Sequence, residues 1–248
     1  SRCRAPARAA GIWVAIAAFI TGAHAISGAQ RSALGMPAAR RGYITAAFDT
    51  SLGRPELEEA SPILPRAQGP AWHRFNAFFI NAARSNIWPV ADPDLVSTLA
   101  RCDIVVVVNP ARRPTGRERS AVTGFLARGG RLLVIDSILN HRSTSAELVG
   151  FAGLAPERVL ASLDDGMSGA VVPALAVREA ADLKRRALFG GGEAFVRDVG
   201  PGRIVLVTDG ALFSDTALGG VYVTPTRAQQ EIYKGEEELL RILLGPHE

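Results

Sequence analysis

Two short apolar runs constrain the fold of this 248-residue chain more than any other feature. They are DIVVVVNP, residues 103–110, and RLLVID, residues 131–136, and neither alternates polar with apolar side chains. Strands that are apolar on both sides are typical of parallel sheets covered on both faces. Between them, residues 115–130 contain Thr115 and Glu118 at the spacing of a capping box and end on a Gly-Gly pair, which predicts a helix. Strand, helix and strand in this order predict an α/β fold.

The other segments continue this alternation. In the helix predicted at 92–102, we expect Asp92 to be the N-cap and Pro93 to occupy the first helical position. The turn Gly200-Pro201-Gly202 joins two strands of a hairpin, which adds one antiparallel strand to a mostly parallel sheet with helices on both faces. The other predicted elements are a strand at 43–49, helices at 71–86, 145–154 and 178–189, a broken strand near Pro173, the hairpin at 194–209 and a tail helix at 225–245.

The N-terminal segment has its own composition. Three arginines precede an apolar run of roughly 16 residues, Gly11 to Ile26, a length at the short end for a spanning helix. Residues 1–27 are therefore predicted to be a membrane anchor or a signal peptide, with a buried helix as the third alternative. Residues 28–42 are predicted to be a linker, and residues 43–248 the folded domain. We expect a single-pass membrane location, or export if the segment is a cleaved signal.

Composition excludes several classes of protein. The chain is 48% hydrophobic and 21% charged, which favours a folded core over disorder. Its net charge is +4, but the densest basic cluster, Lys184 to Arg186, is only three residues long, so we expect no nucleic-acid partner. The two cysteines, Cys3 and Cys102, form neither a metal-ligand spacing nor a disulfide framework. We predict no cofactor and no metal site.

Four predicted strands end on Asp or Asn: Asp49, Asn109, Asp136 and Asp209. In open parallel sheets the ligand crevice lies outside the carboxyl ends of the strands, so these side chains would share one edge if the strands are neighbours. Convergence would suit sugar hydroxyls, a cation or a basic ligand. The alternative is that each side chain accepts backbone N–H groups of its own turn, as Asp and Asn commonly do after strands.

Ser137 and His141, which follow the second buried strand, raise the possibility of a nucleophile and its base. A nucleophile elbow needs small residues two positions to either side. Here Ser137 is flanked by Ile135 and Leu139, so we reject catalysis by this serine. Ser137 and Ser214 remain candidate ligand contacts, and Phe213 could contribute beside Ser214.

The motifs of residues 103–136, a strand ending in Asn-Pro, a helix and GGRLLVID, followed later by GRIVLVTDG, resemble a family of glutamine-amidotransferase-like domains. That family is similar to domains of gliding-motility proteins, ABC-transporter-associated proteins and an intraflagellar-transport protein. The resemblance covers residues 42–245 and implies a flavodoxin-like fold, often attached to a membrane helix. Class I glutaminases carry a cysteine where this chain has Asp136 and Ser137, and a His-x-Glu pair where it has Asp209. Glutamine hydrolysis through a thiolate needs both groups, so we reject it.

We therefore expect a non-catalytic, membrane-attached binding or assembly module, associated with a transporter or the cell envelope. Its partner would be a membrane or transporter protein, and a small polar ligand could occupy the strand-end site. Two alternatives stay open. One is a hydrolase that uses the carboxylates at the strand ends, and the other is a purely structural protein whose crevice is filled by its own side chains.

Overall fold

The computed structural model describes residues 44–57, 71–85, 87–162, 171–178, 182–190, 192–219 and 224–245. The strands are β1 Ile44–Asp49, β2 Ile87–Asp92, β3 Ile104–Val108, β4 Arg131–Ile135, β5 Pro156–Ser162, β6 Val171–Val177, β7 Lys184–Ala187, β8 Glu193–Val199 and β9 Gly202–Val207. The α-helices are α1 Asn76–Arg84, α2 Leu95–Arg101, α3 Gly116–Ala127, α4 Ser145–Val149, α5 Asp215–Leu218 and α6 Arg227–Leu244.

The predicted fold class is confirmed by a seven-stranded sheet in the order β2-β1-β3-β4-β9-β8-β7. The five strands from β2 to β9 are parallel. The predicted hairpin places β8 antiparallel to β9, and β7 then adds a second antiparallel strand at the edge. Strands β5 and β6 form a separate antiparallel pair in which Pro173 does not break β6. The fold is flavodoxin-like.

The central strands bury alternate side chains against helices on opposite faces of the sheet. Val106 and Val108 belong to the core under α1 and α6, whereas Val105 and Val107 belong to the core under α2 and α3. Burying each large apolar side chain stabilises the fold by about 1.5–3 kcal/mol. The helices contribute Phe78, Leu239, Leu240 and Leu243 to the first core and Leu95, Leu99, Val122, Phe125 and Leu126 to the second.

The prediction of a helix at 178–189 is wrong. Its last part is the exposed edge strand β7, which pairs with β8. Lys184 forms an ion pair with Asp198 at 3.0 Å, and Arg185 forms one with Glu193, both across the strand pair. Ala, Leu, Lys and Arg favour a helix locally, but helix propensity is a weak preference that strand pairing overrides here.

The edge strand β2 is absent from the predicted elements, because Pro89 interrupts its apolar run. The N–H of Thr50 donates to the carbonyl of Asp92 at 2.9 Å, so the backbone groups of Asp92 face β1. Alternate residues of a strand direct their backbone groups to the same side, so those of Trp88 and Val90 also face β1. Pro89 therefore faces outward, where its missing N–H costs no hydrogen bond of the sheet.

The helix predicted to begin at Asp92 begins after Asp94. The carboxylate of Asp94 accepts the N–H groups of Val96 at 3.1 Å and Ser97 at 3.2 Å, which makes it the N-cap of α2. Asp92 instead ends β2 and forms an ion pair with Arg101 at 2.6 Å.

The structure corrects the expected membrane location. No helix among the described residues is both long enough and apolar enough to span a bilayer. The predicted anchor or signal at 1–27 and the linker at 28–42 lie outside the described residues. The single-pass span and the membrane attachment are therefore not retained.

A buried carboxyl joins α6 to α1. Glu236 is 1% exposed, and its Oε2 accepts the side-chain amide of Asn81 at 3.1 Å, while Oε1 has no hydrogen-bond partner among the described residues. Burial raises the pKa of Glu236 well above its usual value, and the hydrogen bond from Asn81 and the charge of Arg84 oppose this only in part. The folded state therefore binds this proton more tightly than the unfolded state.

Replacing Glu236→Gln should change how stability depends on pH. Since the folded pKa is raised, the wild-type free energy of unfolding should fall as the pH rises above about 4.5, by at most about 1.4 kcal/mol per pH unit. The variant lacks this titration, so its advantage should grow between pH 5 and pH 9 in urea unfolding. Glu238→Gln, a less buried position of the same helix, is the matched control. A difference between Glu236→Gln and wild type that stays constant with pH would contradict the account.

Candidate functional site

The carboxyl ends of four neighbouring strands form the edge that carries the candidate contacts. Strands β1, β3, β4 and β9 are adjacent and parallel, so Asp49, Asn109, Asp136 and Asp209 lie along one edge of the sheet. Strand β1 leads toward α1 on one face, and β3 leads into α3 on the other. The switch in connection direction therefore lies between β1 and β3, where open α/β sheets usually bind ligands.

Asp136 is fully buried, and its carboxylate is engaged by its own loop. Oδ1 accepts the N–H of Ser137 at 2.9 Å and the side-chain amide of Asn140 at 2.9 Å. Oδ2 accepts the hydroxyl of Ser145 at 2.6 Å and the hydroxyl of Ser143. Four donors satisfy a buried carboxylate, so this side chain fixes the turn between β4 and α4.

Asp49 plays the same part after β1. Its Oδ1 accepts the hydroxyl of Ser51 at 2.7 Å, and its Oδ2 accepts the N–H of Leu52 at 2.8 Å. Burial raises the pKa of Asp49, and the hydrogen bonds from Leu52 and Ser51 partly oppose that rise. The carbonyl of Leu52 in turn accepts the N–H groups of Ala111 and Arg112, both at 3.0 Å, so the turn after β1 is bonded to the loop after β3.

Gly53 shows how closely this turn lies against the end of β3. A Cβ atom at this position would lie 1.7 Å from the carbonyl oxygen of Val108, so only glycine fits. Leu52 beside it is buried in the core under α2 and α3. The crevice between β1 and β3 is therefore filled by the chain's own turn.

Asn109 is buried at the end of β3 in the left-handed backbone region, with φ at 45°. Nε2 of His73 lies 2.9 Å from the carbonyl of Arg54, which assigns the ring proton to Nε2. Nδ1 of His73 is then an acceptor and lies 3.4 Å from the side-chain amide nitrogen of Asn109. The Oδ1 of Asn109 has no hydrogen-bond partner within the described ranges.

Asp209 is the one exposed member of the four. It lies two residues beyond β9, and among the described residues no side-chain hydrogen bond or ion pair involves its carboxylate. Partial burial raises the pKa of the Asp209 carboxyl. The structure therefore brings the four residues to one edge, but it does not turn their side chains toward a common ligand.

The remaining candidate contacts are structural. The Ser137 hydroxyl accepts the N–H of Leu139 at 3.2 Å, and the Ser214 hydroxyl donates to the carbonyl of Ala211 at 2.8 Å; each serine is about 1% exposed. Phe213 lies in the core beneath α1 and α6.

This edge offers little chemistry of its own. Within the described ranges, no group of three or more His, Cys, Asp or Glu side chains could hold a metal ion. Asp49 and Asp136 are buried and hydrogen-bonded, so neither is poised to exchange a proton with a bound substrate.

Sequence reasoning missed several residues of this edge. The spacing from Asp136 to Asn140, Ser143 and Ser145 is a signal for side chains that hydrogen-bond within one loop. The contact between His73 and Asn109 spans 36 residues of sequence and has no local signal.

A separate cleft of about 920 Å³ lies at the opposite edge of the sheet and includes none of the candidate contacts. Arg131 and Arg203, two of its lining residues, are register partners on β4 and β9. They donate to the carbonyls of Leu244 at 3.1 Å and Ile242 at 2.9 Å. These arginines therefore cap the carboxyl end of α6.

Comparisons with known proteins show similarity of fold alone. No family model and no curated protein matches this chain. Solved structures with a similar fold include the mmIFT52 N-terminal domain (12% identity, TM-score 0.46), with 81% of this chain and 98% of that one covered. They also include the exo-β-1,4-mannosidase Op5Man5 from Opitutaceae bacterium strain TAV5 (10%, 0.37, covering 69% and 32%). A GMP synthase protein from Thermoplasma acidophilum is similar at 8% identity (0.35, covering 81% and 95%).

These neighbours match the predicted resemblance in part, because they include an intraflagellar-transport domain and a GMP synthase protein. All three TM-scores lie below 0.5, so the likeness supports no argument about activity.

Two substitutions separate the structural acids from the exposed one. Asp136→Asn should lower the free energy of unfolding by about 2–4 kcal/mol, because an amide nitrogen would face buried donors. Asp209→Asn should change it by less than about 0.5 kcal/mol. Urea unfolding at pH 7 measures both. An Asp136→Asn variant as stable as wild type would show that this carboxylate is not held for structure, since replacing residues kept for function commonly leaves stability unchanged or raised.

Proposed function

We propose that this domain is a non-catalytic binding or assembly module. The observation that supports this proposal most directly is the engagement of Asp136 by four donors of its own loop. In the resembling glutaminases this position holds the nucleophile, and here it holds a side chain that fixes a turn.

The geometry argues against the hydrolase alternative. Carboxylate-based glycoside hydrolysis needs two carboxyl groups that both reach the substrate, about 5–10 Å apart. Asp49 and Asp136 are buried and bonded to their own turns, which leaves Asp209 as the single exposed acid of the four. One carboxylate without a paired acid or base does not make this mechanism.

A small polar ligand at the same edge stays a prediction. The observation that favours it is the buried Oδ1 of Asn109, an acceptor without a donor in the described part of the chain. A ligand there would have to supply a hydrogen-bond donor, and the filled crevice beside Gly53 leaves no room between β1 and β3.

Activity measurements test the non-catalytic assignment. Wild-type protein and Asp209→Asn should both show no turnover of nitrophenyl glycosides, nitrophenyl phosphates or glutamine above that of heat-denatured protein. Turnover that Asp209→Asn abolishes, while its unfolding curve stays that of wild type, would overturn the proposal. The second condition distinguishes loss of a catalytic group from loss of the fold.

A further inference from the structure

Two loops at the carboxyl edge are bonded into one surface. The carbonyl of Pro110, after β3, accepts the side-chain amide of Asn140 at 3.0 Å and the N–H of Thr144 at 2.9 Å, both after β4. Arg158 of β5 donates to the carbonyl of Ile138 at 2.6 Å, which joins β5 to the same loop. These bonds hold residues 110–118, 138–151 and 158–159 together as what we call the loop surface.

The loop surface has an excess of positive charge. Arg112 pairs with Glu118 at 2.6 Å, and the hydrogen bond from Arg112 lowers the pKa of Glu118 to about 2. Arg113 pairs with Glu147 at 3.6 Å. Three further arginines are exposed and, in the described part of the chain, have no acidic partner: Arg117, Arg142 and Arg158.

The loop surface also exposes large apolar side chains. Of the five large hydrophobic residues that are exposed in the described ranges, three lie here: Leu139 at 40%, Phe151 at 50% and Val159 at 37%. Exposed apolar side chains surrounded by polar groups mark protein interaction sites. Unneutralised arginines beside them favour a negatively charged partner through electrostatic complementarity.

We propose that the loop surface binds an acidic protein segment that contains large apolar side chains. Its carboxylates pair with Arg117, Arg142 and Arg158, and its apolar side chains cover Leu139 and Phe151. This inference rests on the proposed binding function and names the surface and the partner chemistry that serve it. A purely anionic partner would leave the exposed apolar side chains unburied, and a purely apolar one would desolvate arginines without pairing them.

Fluorescence anisotropy with the full chain tests this proposal. The probe is a labelled short peptide in which glutamate alternates with leucine and phenylalanine, and the control peptide has lysine in place of glutamate. Wild-type protein should bind the acidic peptide, lose affinity as salt rises, and fail to bind the lysine peptide.

Variants locate the binding surface. Arg142→Glu should weaken binding about tenfold, equivalent to about 1.4 kcal/mol. Leu139→Ser should weaken it about three- to fivefold through lost apolar burial. Arg186→Glu is the matched control, because Arg186 is an exposed arginine of edge strand β7, away from the loop surface, and it should stay within about twofold of wild type. All three positions are exposed, so circular dichroism should show an unchanged fold.

Several results would overturn the proposal. They are absence of binding to the acidic peptide, equal losses in Arg142→Glu and Arg186→Glu, and equal affinity for a glutamate peptide without apolar residues or for single-stranded DNA. Failure here is distinct from failure of the proposed function, because catalytic turnover would refute the non-catalytic assignment whatever the peptide does. Loss of peptide binding alone removes only this surface and this partner.

Discussion

The burial of β3 and β4 on both faces is the constraint on which the rest of the structure depends. Their unbroken apolar side chains require helices on both sides, and α1, α6, α2 and α3 supply them. Buried strands must still turn at their ends, where backbone and side-chain polar groups lose water and need partners. At the carboxyl edge the partners come from within the chain: Asp49 and Asp136 accept their own loops, and the turn at Gly53 fills the space between β1 and β3.

This closure explains why a sheet edge that binds ligands in many α/β proteins is assigned here to support rather than chemistry. A buried carboxylate with four donors stabilises a loop, but the same bonds keep it from a substrate. The loops held in this way project Leu139, Arg142 and Phe151 outward. A rigid scaffold that presents variable loops is a common arrangement for binding, which links the closed edge to the proposed module.

The sequence predicted the fold class and the common edge of the four polar residues, because apolar strands and turn residues leave strong local patterns. It did not predict which interpretation of those residues holds, since the partners of Asp136 and the contact of Gly53 with Val108 depend on packing. The helix predicted at 178–189 was wrong because pairing with β8 overrides local propensity. Strand β2 was missed because Pro89 disguises an edge strand whose outward side needs no donor.

Amide hydrogen exchange would test the central claim, that this edge is closed by its own loops, most directly. The informative amides are those of Leu52, Ala111, Arg112 and Ser137, which donate to groups inside the edge. The account predicts protection far above that of exposed loop amides, approaching that of the core strands. Exchange of these four amides at the rate of unstructured peptide would show an open edge and contradict the account.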